Sequence, residues 1–143
     1  MQILQPPGWP RPRGYANGIA ASGTMVFVAG QIGWDERQVI VSDDLAAQLG
    51  QALDNTLAVL REASAGPEHV VRMTWYLTDK RDYLARAREL GEVYRARMGR
   101  HYPAMAVVEV SALIEDRAKV EIETTAVVPR ADKSPEEPRR DQG

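Results

Sequence analysis

Apolar residues along this chain alternate in some stretches and recur every three or four positions in others. The runs "NGIAAS" (17–22) and "MVFVAGQI" (25–32) have strand character and meet at Ser22-Gly23-Thr24, a hairpin signal. "QVIVS" (38–42) reads as a further short strand. Leu45, Leu49, Leu53, Leu57 and Leu60 then recur at helical spacing and predict a helix to about Ala63. Ser42 offers its N-cap, Asp43 and Asp44 suit the positive end of its dipole, and Gly66-Pro67 ends it. "VVRMTWYLT" (70–78) alternates, with Val71, Met73, Trp75 and Leu77 on one face. A second helix is predicted from about Arg81 to Met98, burying Leu84, Ala87, Leu90 or Gly91, Tyr94 and Met98, with Gly99 closing it. Strands at Ala104–Ser111 and 119–128 follow, linked by the acidic loop "IEDR".

The predicted order β-β-β-α-β-α-β-β mixes hairpins with helical crossovers. It implies an α+β domain with a mixed β-sheet and two helices packed on one face. In "YPAMAVVEV", Ala106, Val108 and Val110 share one face, and Met105, Val107 and Glu109 the other. Both faces are largely apolar, so both need cover, one from the helices and one from another subunit. In "KVEIE", Val120 and Ile122 point one way, Glu121 and Glu123 the other. Met105 and Glu121 are expected on outward-facing positions of neighbouring strands. Residues 1–13 hold four prolines and read as an extended arm anchored by Trp9. The domain proper is placed at 14–129, and the charged, proline-punctuated 130–143 as a disordered tail.

Composition narrows the chemistry. The 143 residues suit one domain. A formal net charge of −2 argues against a nucleic-acid partner. There are no cysteines and two histidines, which excludes thiolate chemistry and leaves little for a metal. No P-loop, GxGxxG, GxSxG or HExxH motif occurs, so no cofactor is expected. No membrane-spanning run and no signal peptide is present, so a cytoplasmic location is expected. The second helix carries Arg81, Arg86, Arg88, Arg95, Arg97 and Arg100 interleaved with Asp82, Glu89 and Glu92. With Glu92 four residues after Arg88, this reads as a solvated, self-paired face.

The segments "GYANGI", "MVFVAGQIGWD", "NTLAVLREA", "YLTD", "EVY" and "YPAMAVVEVSALIEDRAKVEIETTAVV" resemble the Rid family over about residues 8–128. That family is also called YjgF or reactive intermediate deaminase, and was formerly described as translation inhibitor or endoribonuclease. The resemblance implies a chorismate-mutase-like fold, a homotrimeric barrel with the helices outside, and clefts between subunits for a small-molecule ligand. In the deaminating branch, an arginine grips the substrate carboxylate while a tyrosine, an asparagine and a glutamate surround the imine and its water. By position these roles fall on Met105, Tyr15, Gly91 and Glu121. The segment from Asp82 to Gly91 looks about one helical turn longer than in that branch. The serine before "GQ" becomes Ala29, next to Gly30 and Gln31, and the position two after the arginine is Val107. Trp34 is a conceivable wall. Tyr15 and Glu121 are thus the candidate catalytic residues, and Met105, Val107, Gly91, Ala29, Gly30, Gln31 and Trp34 the candidate ligand-binding ones.

Three readings follow. In the first, the protein hydrolyses a small enamine, imine or related conjugated metabolite, with specificity moved away from 2-imino acids. In the second, it is a non-catalytic trimer that binds a metabolite or a partner protein. The third, an RNA-directed activity, fits the acidic charge least.

Overall fold

The structure is a computed structural model and describes residues 1–131, so the tail expected at 130–143 falls almost wholly outside the described residues. Its centre is a four-stranded sheet in the order β3-β6-β4-β5, made of β3 (Thr24–Ile32), β4 (Val70–Leu77), β5 (Ala104–Glu109) and β6 (Val120–Val128). β4 and β5 run parallel, joined by a helical crossover, and the other pairs are antiparallel. The helices α1 (Leu45–Glu62) and α3 (Ala87–Met98) cover one face. The α+β architecture read from the periodicity is therefore the observed one.

Leu49, Leu53 and Leu60 of α1 meet Leu90, Tyr94 and Met98 of α3 over Val28, Met73, Trp75 and Ile122 of the sheet, all buried. Burying a side chain of this size contributes on the order of 1.5–3 kcal/mol. The other sheet face is left bare by the described residues: Phe27 is 70% exposed, Met25 57% and Val108 41%. Among the described residues no helix is long and apolar enough to cross a membrane.

Several local expectations are corrected. The strand at 17–22 does not pair with its successor. Gly18–Ala20 (β2) pairs instead with Gln2–Leu4 (β1) of the N-terminal arm, and β3 pairs with β6. Gly23, at φ 147°, abuts Val128: a Cβ there would lie 2.1 Å from the Val128 carbonyl oxygen, so the turn directs the chain onto β6. Trp9 is 59% exposed, so its ring is not buried as an anchor among the described residues. "QVIVS" forms no strand beyond a bridge between Trp34 and Ile40, because Asp35 Oδ1 accepts the Arg37 and Val39 amides and curls the segment.

The N-cap of α1 is Asp44 rather than Ser42; its Oδ2 accepts the Ala47 amide at 3.1 Å, while Ser42 Oγ accepts the Asp44 amide. A register shift between Val70 and Arg72 puts Val70 inside where Val71 was expected. The second helix is two helices, α2 (Lys80–Ala85) and α3, broken at Arg86 (φ −116°, ψ 21°). The break shifts the phase of the buried stripe, so Leu84 is 65% exposed and Ala87 is exposed too.

The most consequential correction concerns β5. Met73 pairs with Met105 and Trp75 with Val107, which turns Met105 and Val107 toward the helices and leaves Ala106 and Val108 on the bare face. β4 separates β5 from β6, and Glu121 pairs with Tyr76 whereas Ile122 pairs with Trp75. Met105 and Glu121 therefore lie on non-adjacent strands and opposite faces.

Candidate functional site

On the covered side, a cleft of about 490 Å³ opens where α3 passes over the β4–β5 edge. Trp75, Met105 and Val107 form its floor, Leu90, Gly91, Tyr94 and Arg95 of α3 one wall, and Tyr83 and Tyr102 further walls. Tyr15 reaches it because the neighbouring Ala16 is buried, bridges to Ala104 and donates its amide to the Pro103 carbonyl at 2.9 Å.

Five of the chain's nine aromatic residues line this cleft. Tyr94 and Tyr102 stack with centroids 5.6 Å apart and planes 13° from parallel, and Trp75 is tilted against Tyr94 at 6.0 Å. Tyr94 donates its hydroxyl hydrogen to the His101 carbonyl. Burial, and secondarily the proximity of Tyr102, pushes the Tyr94 phenol well above its ordinary value, and burial raises Tyr83 as well. Both are neutral donors at physiological pH and neither is a base. Among the described residues no carboxylate lines the cleft, and its charged residues are Arg13 and Arg95.

The other candidates gather elsewhere. Glu121 of β6 is half-buried beside Gly30, and a Cβ at position 30 would come within 2.8 Å of its carboxyl carbon. Gly30 lies where the β3–β6 register shifts, between Val28 and Gln31. With Trp34, Leu113 and Ile114 these residues line a hollow of about 260 Å³. Two side chains of α1 brace it. Asn55 Nδ2 donates to the carbonyls of Ile32 (3.1 Å) and Trp34 (2.8 Å). The fully buried Gln48 donates through Nε2 to the Ser42 and Arg117 carbonyls and accepts the Lys119 amide at 2.8 Å, holding the loop before β6. Gln31 Nε2 donates to the Ala29 carbonyl, and neither residue lines either hollow.

Tyr15, Gly91, Met105 and Val107 are thus brought together, as are Gly30, Trp34 and Glu121, but within one chain the sheet separates the two sets. Sequence reasoning gave Trp75 and Tyr94 to the core alone and passed over Tyr83, Tyr102, Arg13, Gln48 and Asn55. It also took the arginines of the second helix as self-paired. Arg86 does hold Glu89 (3.0 Å) and Asp44 (2.8 Å), and Arg97 holds Asp54 of α1 (2.8 Å). No ion pair forms between Arg88 and Glu92, and Arg95 has none among the described residues. The Gly91–Arg95 spacing of four was the available signal.

The sequence profile of a family described as Endoribonuclease L-PSP matches residues 10–128. A RutC family protein of Pyrococcus abyssi is 37% identical over 118 residues, covering 82% of this chain and 89% of that protein. A 2-iminobutanoate/2-iminopropanoate deaminase of Salmonella typhimurium is 33% identical over 116 residues, covering 79% and 86%. Among solved structures, the Rid family protein YyfB of Yersinia pestis, of unknown function, superposes with a TM-score of 0.76 at 29% identity, covering 89% of this chain and 98% of that one.

Proposed function

This chain belongs to the Endoribonuclease L-PSP family, the YjgF or Rid proteins, and on that premise we propose that it hydrolyses a small conjugated imine or enamine in clefts between the subunits of a homotrimer. One observation carries the proposal: the two candidate half-sites lie on opposite faces of a sheet whose second face is apolar and bare. Packing that face against a second copy would cover Phe27, Met25 and Val108 and bring a Glu121 to a neighbour's Tyr15. The relatives named as deaminases supply the reaction class.

In this arrangement Glu121 accepts a proton from water as its oxygen bonds to the C=N carbon. The π pair moves to nitrogen, which takes up a proton, and Tyr15 donates a hydrogen bond to the reacting group. The carbinolamine then loses ammonia and leaves a carbonyl, with water as the only co-reactant. Met105, Val107, Gly91 and Ala29 offer no charged or amide partner at the positions that hold the substrate in the deaminating branch. Met105 puts a soft apolar contact on the strand, and with the aromatic lining of the cleft this favours larger, flatter molecules over 2-iminobutanoate and 2-iminopropanoate.

The test generates imines in situ with an amino-acid oxidase and follows release of free carbonyl compound with and without the purified protein. Acceleration that disappears in Glu121→Gln supports the reading. Saturable ligand binding without acceleration of any imine would make the protein a metabolite-binding trimer instead.

A further inference from the structure

We propose that Arg95, seated over Gly91, is the anion-holding residue of the aromatic cleft, and that the ligand is a planar monocarboxylate with an aromatic or conjugated body. The inference rests on reading the cleft as the binding half of the site, but it concerns binding and not turnover.

Gly91 and Arg95 are one helical turn apart on α3, and long side chains on a helix lie back over the preceding turn. The Arg95 guanidinium lies on the bare backbone at Gly91: a Cβ there would stand 3.1 Å from Nη1. By the resemblance, position 91 corresponds to the asparagine of the deaminating branch. Its reduction to glycine gives the guanidinium this seat, and a cation here makes one at position 105 unnecessary. Two departures from the family pattern, Gly91 and Met105, thus share one explanation.

Three further features agree. Arg95 forms no ion pair or side-chain hydrogen bond among the described residues, and no carboxylate lines the cleft to neutralise it. Its guanidinium can therefore take a carboxylate in a bidentate pair. The stacked Tyr94–Tyr102 pair and the Trp75 indole form flat walls, and Met105 adds a soft sulfur contact suited to a ring. Trp75, on the cleft floor, has its Nε1 buried without a hydrogen-bond partner among the described residues. Arg13 also reaches the cleft, but from an irregular segment with no comparable seat.

Calorimetric titration of the whole protein with three probes tests this. Benzoate carries the flat ring and the charge, benzamide the flat ring without the charge, and cyclohexanecarboxylate the charge on a puckered, saturated ring. Benzoate is expected to bind about tenfold or more tightly than either of the others. Arg95→Gln, at an exposed position and so harmless to the fold, should weaken benzoate by about tenfold or more while leaving benzamide unchanged. Arg95→Lys should recover part of the loss. Benzoate affinity in Arg95→Gln within about twofold of wild type, equal binding of benzoate and benzamide, or no saturable benzoate binding would each overturn the proposal. Arg95-dependent benzoate binding in a protein that hydrolyses no imine would leave this inference standing and remove the catalytic reading. Imine hydrolysis with a KM indifferent to Arg95→Gln would do the reverse.

Discussion

The two faces of the central sheet contrast in what completes them. On one, Met73, Val120 and Ile122 are wholly buried beneath α1 and α3, so the chain satisfies that face alone. On the other, Phe27, Met25 and Val108 stay open, and none of the described residues covers them. The candidate chemistry divides along the same line. The aromatic, cationic cleft opens beside the helices, and the carboxylate with its glycine lies on the bare side. On the proposed reading, one chain folds without being able to act alone. A buried face needs only its own helices, whereas the site as proposed needs a second copy.

The largest effect expected is from breaking the bare face itself. Phe27→Glu puts a charge where the proposed interface is most apolar, and leaving that charge unpaired on burial is prohibitive. Sedimentation should show the trimer replaced by folded monomer, with imine hydrolysis lost altogether. A variant that is monomeric and fully active would put both half-sites back in one chain and end the contrast between the faces.

Next comes the carboxylate. Glu121→Gln removes the proposed base, and general-base catalysis contributes about 10²–10⁴-fold, so kcat should fall by that order while benzoate affinity holds. Gly30→Ala should do less by the same route, since the new Cβ must displace the Glu121 carboxyl that now sits within 2.8 Å of it. Equal losses of kcat and of benzoate binding in Glu121→Gln would mean that the two faces do not divide the labour as proposed.

A smaller effect sharpens the other side. If Arg95 replaces a cation at position 105, then Met105→Arg in an Arg95→Gln background should restore about tenfold of benzoate affinity, and Met105→Arg alone should add little. In the double variant the preference should shift toward smaller 2-imino acids, because the charge then sits deeper, on the strand. Failure of the second substitution to rescue the first would show that the cleft tolerates a cation only from α3.

What the sequence made legible follows the same divide. The leucine period of α1, the Gly66-Pro67 stop and the alternation of β4 are local patterns with strong burial behind them, and these elements stand where they were expected. Tyr15, Met105, Gly91 and Glu121 could be picked out from resemblance alone. Which face each belongs to could not, because β5 is apolar on both sides and alternation gives two sets without saying which one the helices cover. The break at Arg86 was equally hidden. Arginine is a good helix former, and the kink is held by ion pairs to Asp44 and Glu89, one of them long-range. Arg95 looked like one more solvated charge until its neighbours on α3 proved to pair elsewhere or not at all. Local signals carried the packed face, and tertiary ones the site.

The Asp44–Arg86 tie gives the smallest effect, a test of whether the cleft depends on how α3 is attached. The Arg86 hydrogen bond, and then the Ala47 amide, hold the Asp44 carboxyl below its ordinary value of 3.8. A lowered folded-state value means that the unfolded chain takes up a proton first as pH falls. The contribution is therefore fully present above about 3.8 and is lost as pH drops through the lower folded-state value. Asp44 is 46% exposed, so solvent screens the pair and the loss is slight. Asp44→Asn keeps an N-cap acceptor for the Ala47 amide but loses the charge. Urea denaturation at pH 7 should find the variant marginally weaker, and the gap should shrink as the pH falls below about 3.8. A gap of constant size would assign the loss to capping rather than to charge. Benzoate affinity should stay within about twofold of wild type, since Gly91 and Arg95 lie beyond the first turn of α3 and are held by Leu90, Tyr94 and Met98. A larger drop would make Arg86 the hinge on which the cleft wall hangs, and would tie the binding half of the site to the end of α1 rather than to the core.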